Sequence, residues 1–151
     1  NAGATFIQHP PQKDFTDLEL ALLHAVEKGI SWMRIIGGIG GRFDQTLANV
    51  YLLALPKLVG CDVGLVAGEQ SMQLLYSGVH HIEGQVGDTL SLIPLGGAVK
   101  KIRTDGLQYP LKDETLYFGP ARGVSNVFLS PIVTLRIGAG QLLVIHTNGR
   151  A

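Results

Sequence analysis

The chain changes its hydrophobic grammar once, between residues 69 and 78, and that change constrains the fold more than any single motif. Ahead of it, residues 16–28 (TDLELALLHAVEK) carry Leu18, Ala21, Leu22, Ala25 and Val26 at the spacing of one helical face. Thr16 and Glu19 form a capping box, and Gly29 stands where a helix end needs a left-handed residue. SWMRIIG (31–37) is read as a buried strand. A second helix is expected from Asp44 to Leu55, with Leu47, Val50, Tyr51 and Ala54 on one side and Pro56 as its stop. DVGLVAG (62–68) is read as another buried strand. Helix, strand, helix, strand is the grammar of a parallel sheet layered with helices.

After Gly78 the periodicity shortens. TLSLIPL, AVKKIRT, IVTLRI and QLLVIHT alternate with turn segments GQVGD, GG, DG and GAG, the pattern of antiparallel strands in a sandwich or barrel. The expectation is α/β plus all-β: residues 1–75 as part of a parallel α/β unit, residues 76–151 as an antiparallel β-sandwich. The first unit opens with at most a brief strand at ATFI (4–7), and two or three strands make a thin sheet, so an N-terminal portion is expected to be missing.

With 46% apolar residues in 151, the chain can build a core, and twelve basic against twelve acidic residues leave no net charge to attract nucleic acid or an anionic membrane. No run approaches the roughly 20 apolar residues that span a bilayer. The single Cys61 has no internal disulfide partner, which fits a cytoplasmic location. His80 and His81 point to opposite faces of one strand and cannot readily chelate one metal.

Three polar clusters carry the functional question. GGIGGRFDQTLANV (37–50) fails both phosphate fingerprints: the position six from Gly38 is Phe43 rather than glycine, and Arg42–Phe43 replaces the Lys–Ser/Thr of a Walker loop. What remains is a crowded backbone beside a helix start, favourable to an anion, with Arg42 able to grip a phosphate with two donors. Asp44 is equally suited to cap that helix. PPQKDFTDLE (10–19) gathers Asp14, Asp17 and Glu19 around Lys13, either as a solvated first turn or as part of a cleft in which Asp17 and Asp44 hold magnesium or polarise a hydroxyl. GPARGVSNVF (119–128) offers Ser125 and Asn126, neutral hydrogen-bonding groups suited to a heterocycle, or an ordinary hairpin connection.

Together, HPPQKDFTDLELAL, GGIGGRFDQTLAN, LSLIPLGGAV, DGLQYPL and RGVSN, in this order, resemble the thiamine pyrophosphokinase family from about His9 to Ile145. The resemblance implies pyrophosphate transfer from ATP to the hydroxyl of thiamine, giving thiamine diphosphate and AMP with Mg2+. It also implies a homodimer whose active site lies between the α/β unit of one subunit and the β unit of the other. It marks Asp17 and Asp44 as catalytic and metal-facing, and Lys13, Thr16, Arg42 and Gln45 as nucleotide- and phosphate-binding. Ser125 and Asn126 become thiamine-binding, while Phe128 and Tyr109 are left as aromatics that either stack on ligand or pack in the core. Family members also carry an earlier acidic motif of the GD-x-DS type, ahead of the region matched here. The competing expectation is a non-catalytic thiamine-binding or dimerisation module.

Overall fold

The computed structural model describes Gly3, Ile7, Gln8 and residues 14–149; the expected strand at ATFI and Lys13 fall at least partly outside these. Helix α1, Asp17–Glu27, begins as its sequence dictates: the Thr16 hydroxyl accepts a hydrogen bond from the Glu19 N–H at 3.2 Å. It ends on Gly29 at φ +78°, where the Gly29 N–H reaches the Val26 carbonyl and the Ile30 N–H reaches Ala25, so two otherwise orphaned carbonyls are satisfied. Strand β1, Trp32–Ile36, follows at once. Helix α2, Phe43–Leu52, is shorter than expected, and a 3-10 turn at Pro56–Leu58 leads to β2, Asp62–Ala67. Strands β1 and β2 pair in parallel, from Trp32 opposite Asp62 to Ile36 opposite Val66.

The remaining strands are β3 (Gln70–Leu75), β4 (Gly78–Glu83), β5 (Thr89–Pro94), β6 (Val99–Asp105), β7 (Lys112–Leu116), β8 (Asn126–Val127), β9 (Ile132–Ile137) and β10 (Leu142–Thr147). All of their pairings are antiparallel. They form two sheets, one of six strands in the order β1-β2-β3-β10-β5-β8 and one of four in the order β4-β9-β6-β7. The six-stranded sheet therefore continues from the parallel pair through β3 into the β-rich half.

Two cores lie on its two faces. In β10, Leu142 and Val144 belong to the core between the sheets, while Leu143 and Ile145 belong to the core under the helices. The period of two along one strand puts alternate residues in different cores. The inter-sheet core contains Leu90, Phe128, Val133, Leu135 and Leu142, all with no exposed surface. The helical core joins Leu22, Leu52 and Leu53 to Met33, Ile35, Leu65 and Met72.

Three local expectations need correction. Strand β1 is buried on one face only: Met33 and Ile35 are covered, while Trp32 and Ile36 are 61% and 83% exposed, because β1 is the edge of its sheet and the inter-sheet core lies at the other end. Ala21 is exposed on α1. Helix α2 turns inward a stripe ending in Leu52 and Leu53 and leaves Leu47 and Tyr51 39% and 51% exposed, because covering β1 and β2 rotates the helix relative to the face its apolar spacing suggested.

Candidate active site

Arg42, not Asp44, occupies the N-cap of α2, with an extended backbone and no side-chain capping bond. Asp44 lies in the first turn, where its carboxylate is gripped by Arg42: Nε donates to Oδ1 at 3.2 Å and Nη2 to Oδ2 at 2.5 Å. That guanidinium, followed by the Gln45 N–H, holds the Asp44 carboxyl below the usual carboxylate range. Both side chains are mostly exposed, at 72% and 65%. Such a pair adds little stability and stays open to ligands.

The glycine run gives the turn its path. A side chain at Gly38 would meet Leu65 Cδ2 at 2.6 Å and Ile35 Cγ2 at 3.2 Å, so the backbone lies directly on the core. From α2, Asn49 Nδ2 donates to the Gly38 carbonyl at 2.7 Å, and the Thr46 hydroxyl meets both polar atoms of the Gly40 peptide at 3.2 and 3.3 Å.

Asp17 is the first helical residue of α1, and the Thr16 hydroxyl is engaged as its cap. The connection from Glu27 to Trp32 is too short for anything but a reversal of direction. The start of α1 therefore stands, like that of α2, at the carboxyl end of the parallel pair, where open α/β sheets bind ligands. Among the described residues no three His, Cys, Asp or Glu side chains form a group that could hold a metal ion. With Asp44 engaged by Arg42, the described residues alone do not fit the magnesium ion implied by the resemblance.

In the β half, Ser125 is exposed at φ +60°, and its N–H donates to Ser91 Oγ at 3.0 Å. Its neighbour Asn126 is only 8% exposed and turns its amide inward. Oδ1 accepts from the Tyr109 N–H at 3.0 Å, and Nδ2 donates to the Tyr109 carbonyl at 2.7 Å. Asn126 thus fixes the backbone of Tyr109, whose side chain is 63% exposed, whereas Phe128 is wholly buried.

Sequence reasoning missed a polar buckle beside this loop. Asp88, 5% exposed, accepts from the Gln85 and Gly149 N–H groups at 2.8 and 2.7 Å and meets His146 Nε2 at 2.8 Å. The Gln85 and Gly149 amides, with a smaller contribution from His146, hold the Asp88 carboxyl below its ordinary range. His146 also lies against the Phe128 ring, 5.1 Å between centroids. The only signal in the sequence was an acidic residue inside a turn, which by itself reads as turn chemistry. His80 and His81 do face apart, His80 toward the Tyr76 carbonyl and His81 toward Thr134.

A mixed α/β layer fused to a β-sandwich, with an Arg–Asp pair at a helix start and an aromatic held at the far edge, defines a class of two-part, ligand-binding α/β-plus-β proteins. Two family models match this chain: "Thiamin pyrophosphokinase, catalytic domain" over residues 1–63 and "Thiamin pyrophosphokinase, vitamin B1 binding domain" over residues 79–142. The chain belongs to the thiamine pyrophosphokinase family. It is 29% identical over 138 residues to the thiamine pyrophosphokinase of Bacillus subtilis, an alignment covering 91% of this chain and 64% of that protein. It is 27% identical to thiamine pyrophosphokinase 1 of Arabidopsis thaliana, covering 96% of this chain and 57% of the relative. The chain thus spans less than two thirds of the length of these relatives.

Solved structures agree with the fold. The B. subtilis thiamine pyrophosphokinase superposes with a TM-score of 0.85 over 91% of this chain and 65% of that one, at 29% identity. A thiamin pyrophosphokinase family protein from Enterococcus faecalis superposes at 0.86 over 97% and 70%, at 28% identity.

Proposed function

We propose that this chain supplies both halves of a thiamine pyrophosphokinase site, and that the two halves meet only between copies. The observation that carries this reading is the strand order. Arg42 and Asp44 follow β1 at one edge of the six-stranded sheet, while Asn126 lies in β8 at the other. Five steps at roughly 4.8 Å each separate those edges by about 24 Å. Reacting atoms must come within about 3–3.5 Å of each other. A homodimer that sets the α/β edge of one copy against the β edge of its partner closes the gap and supports the shared-site reading.

Residues 1–75 then handle ATP and residues 76–151 thiamine. The thiamine hydroxyl oxygen attacks the β-phosphorus of ATP. The bond from that phosphorus to the oxygen bridging the α-phosphate breaks, AMP leaves, and the hydroxyl proton passes to Asp17 or to water. Pyrophosphoryl transfer depends mainly on positioning and charge neutralisation. Arg42 steadies phosphate oxygens, and Lys13, Thr16 and Gln45 are assigned to the same nucleotide. Asp44, held in its charged form by Arg42, is a poor proton acceptor and serves to orient the hydroxyl. Ser125 faces the thiamine ring, and Asn126 acts through Tyr109, whose exposed ring offers the flat face for it. The resemblance implies Mg2+ to neutralise phosphate charge; the described residues alone do not complete a site for it, and no step of the transfer is assigned to it.

Because Arg42 already occupies both carboxylate oxygens of Asp44, a second reading is a thiamine-binding or dimerisation module that does not turn over. Incubation with thiamine and the magnesium salt of ATP separates the two. Equimolar AMP and thiamine diphosphate support the enzyme. Saturable thiamine binding heat without AMP supports the module, and neither signal rejects both. A cytoplasmic location, without a membrane or nucleic-acid partner, is part of the proposal; no helix among the described residues is long and apolar enough to cross a membrane.

A further inference from the structure

The inward stripe of α2 carries a polar stretch where an apolar one is expected. Its residues at three-residue spacing are Thr46, Asn49 and Leu52, followed by Leu53. Leu52 and Leu53 are buried in the helical core. Thr46 and Asn49, half-buried on the same stripe, face the glycine turn instead. Neither residue is a strong helix former. Placing both on the covered side of a ten-residue helix gives up apolar burial that leucine or valine would supply.

We propose that Asn49 and Thr46 are positioning residues: they tether the 38–41 turn to α2 and thereby fix where Arg42 and Asp44 stand. The geometry is specific. Asn49 ties down the Gly38 carbonyl at 2.7 Å, at a residue where an added Cβ would lie 2.6 Å from Leu65 Cδ2. Thr46 holds both polar atoms of the Gly40 peptide two residues before Arg42. Arg42 itself makes no capping bond, so no side chain of the N-cap residue fixes the helix start. A turn rich in glycine has many alternative paths, and the two tethers select one. Neither residue need touch a ligand. The role of the pair in catalysis rests on the reading of the site given above; the tether itself does not.

The test uses the whole chain with Asn49→Leu, which completes the apolar stripe, Asn49→Asp, which keeps the shape but removes the donor, and Thr46→Val. In ligand-free protein, amide exchange of Gly40, Gly41 and Arg42 is expected to quicken about tenfold or more in Asn49→Leu and Thr46→Val, while the thermal midpoint of Asn49→Leu holds or rises. In turnover, KM for ATP is expected to rise about tenfold with KM for thiamine unchanged, a split that general loss of structure does not produce. Unchanged exchange in all three variants would overturn the tether, with or without activity. Quickened exchange with both KM values at the parent level would overturn its positioning role. An inactive parent chain whose variants still show quickened exchange would sink the functional reading and leave the tether standing.

Discussion

The two ends of the six-stranded sheet are built differently. At the β5–β8 end the face toward the four-stranded sheet is closed, and Leu90, Leu92 and Phe128 expose 1% or less. At the β1 end only the helical face is covered. On the other face Trp32 and Ile36 stand open, and a cleft of about 1050 Å³ is lined by Arg34, Asp62, Gln73 and residues of β4. Even there the polar groups are satisfied: Arg34 grips Asp62 at 2.8 and 3.1 Å, stacks over Trp32 and leaves Gln73 to bond the same carboxylate. One sheet therefore has a closed end that holds the fold and an open end whose charged side chains, though paired with one another, remain in contact with solvent. Stability and chemistry are separated along it.

The strongest way to break that comparison is to truncate an aromatic at each end. Phe128→Ala, in the closed end, is expected to lose about 4 kcal/mol of unfolding free energy in urea. Trp32→Ala, exposed at the open end, is expected to lose under about 1 kcal/mol. Equal losses would erase the distinction.

The Asp88 buckle sharpens the picture by chemistry rather than volume. Asp88→Ala removes the acceptor from the part-buried Gln85 and Gly149 amide bonds and is expected to cost about 2 kcal/mol. Because its folded pKa is lowered, the contribution of Asp88 is complete above the ordinary carboxylate value and fades as pH falls through the depressed folded one. Acid titration of stability below about pH 4 should therefore be steep in the parent chain and flatter in Asp88→Ala.

At the open end the prediction concerns rate rather than stability. Asp44→Asn should lower turnover more than about tenfold, at least ~1.4 kcal/mol of barrier, while urea unfolding stays within about 0.5 kcal/mol. A parallel fall in stability would make Asp44 structural. The smallest effect is expected on the outer face of the four-stranded sheet, where Arg103 lies directly opposite both Arg136 and Lys112. Arg136→Glu replaces a like-charged cross-strand pair by an attractive one and should raise stability by a few tenths of a kcal/mol, up to about 1.

What could be read from residues alone follows the range of the interactions. The start and end of α1 were legible because a capping threonine and a terminal glycine act within a few residues of their partners. The four late strands were legible because alternation is local. The pairing of β3 with β10, Gln70 against Thr147, was not, because it joins residues far apart in the chain and gives no local signal. The site divides the same way. Arg42 and Asp44, two residues apart, stood out as a charged pair after a glycine run, yet the tethers from Thr46 and Asn49 depend on how α2 is rotated on the sheet. Ser125 and Asn126 stood out as one polar pair, but the left-handed backbone at Ser125 leaves it exposed, while Asn126 opens β8 and turns its amide inward to Tyr109.

Mixing two variants reads out whether the site is shared between copies. Asp44→Asn disables the α/β contribution and Tyr109→Ala the β contribution; each is expected to form little thiamine diphosphate alone. If every site joins the α/β half of one copy to the β half of another, random re-association of an equal mixture makes half the dimers mixed, each with one intact site. Activity should then return to about a quarter of the parent value. A mixture no more active than the two variants measured separately would mean that each chain builds its site alone, and would contradict this account.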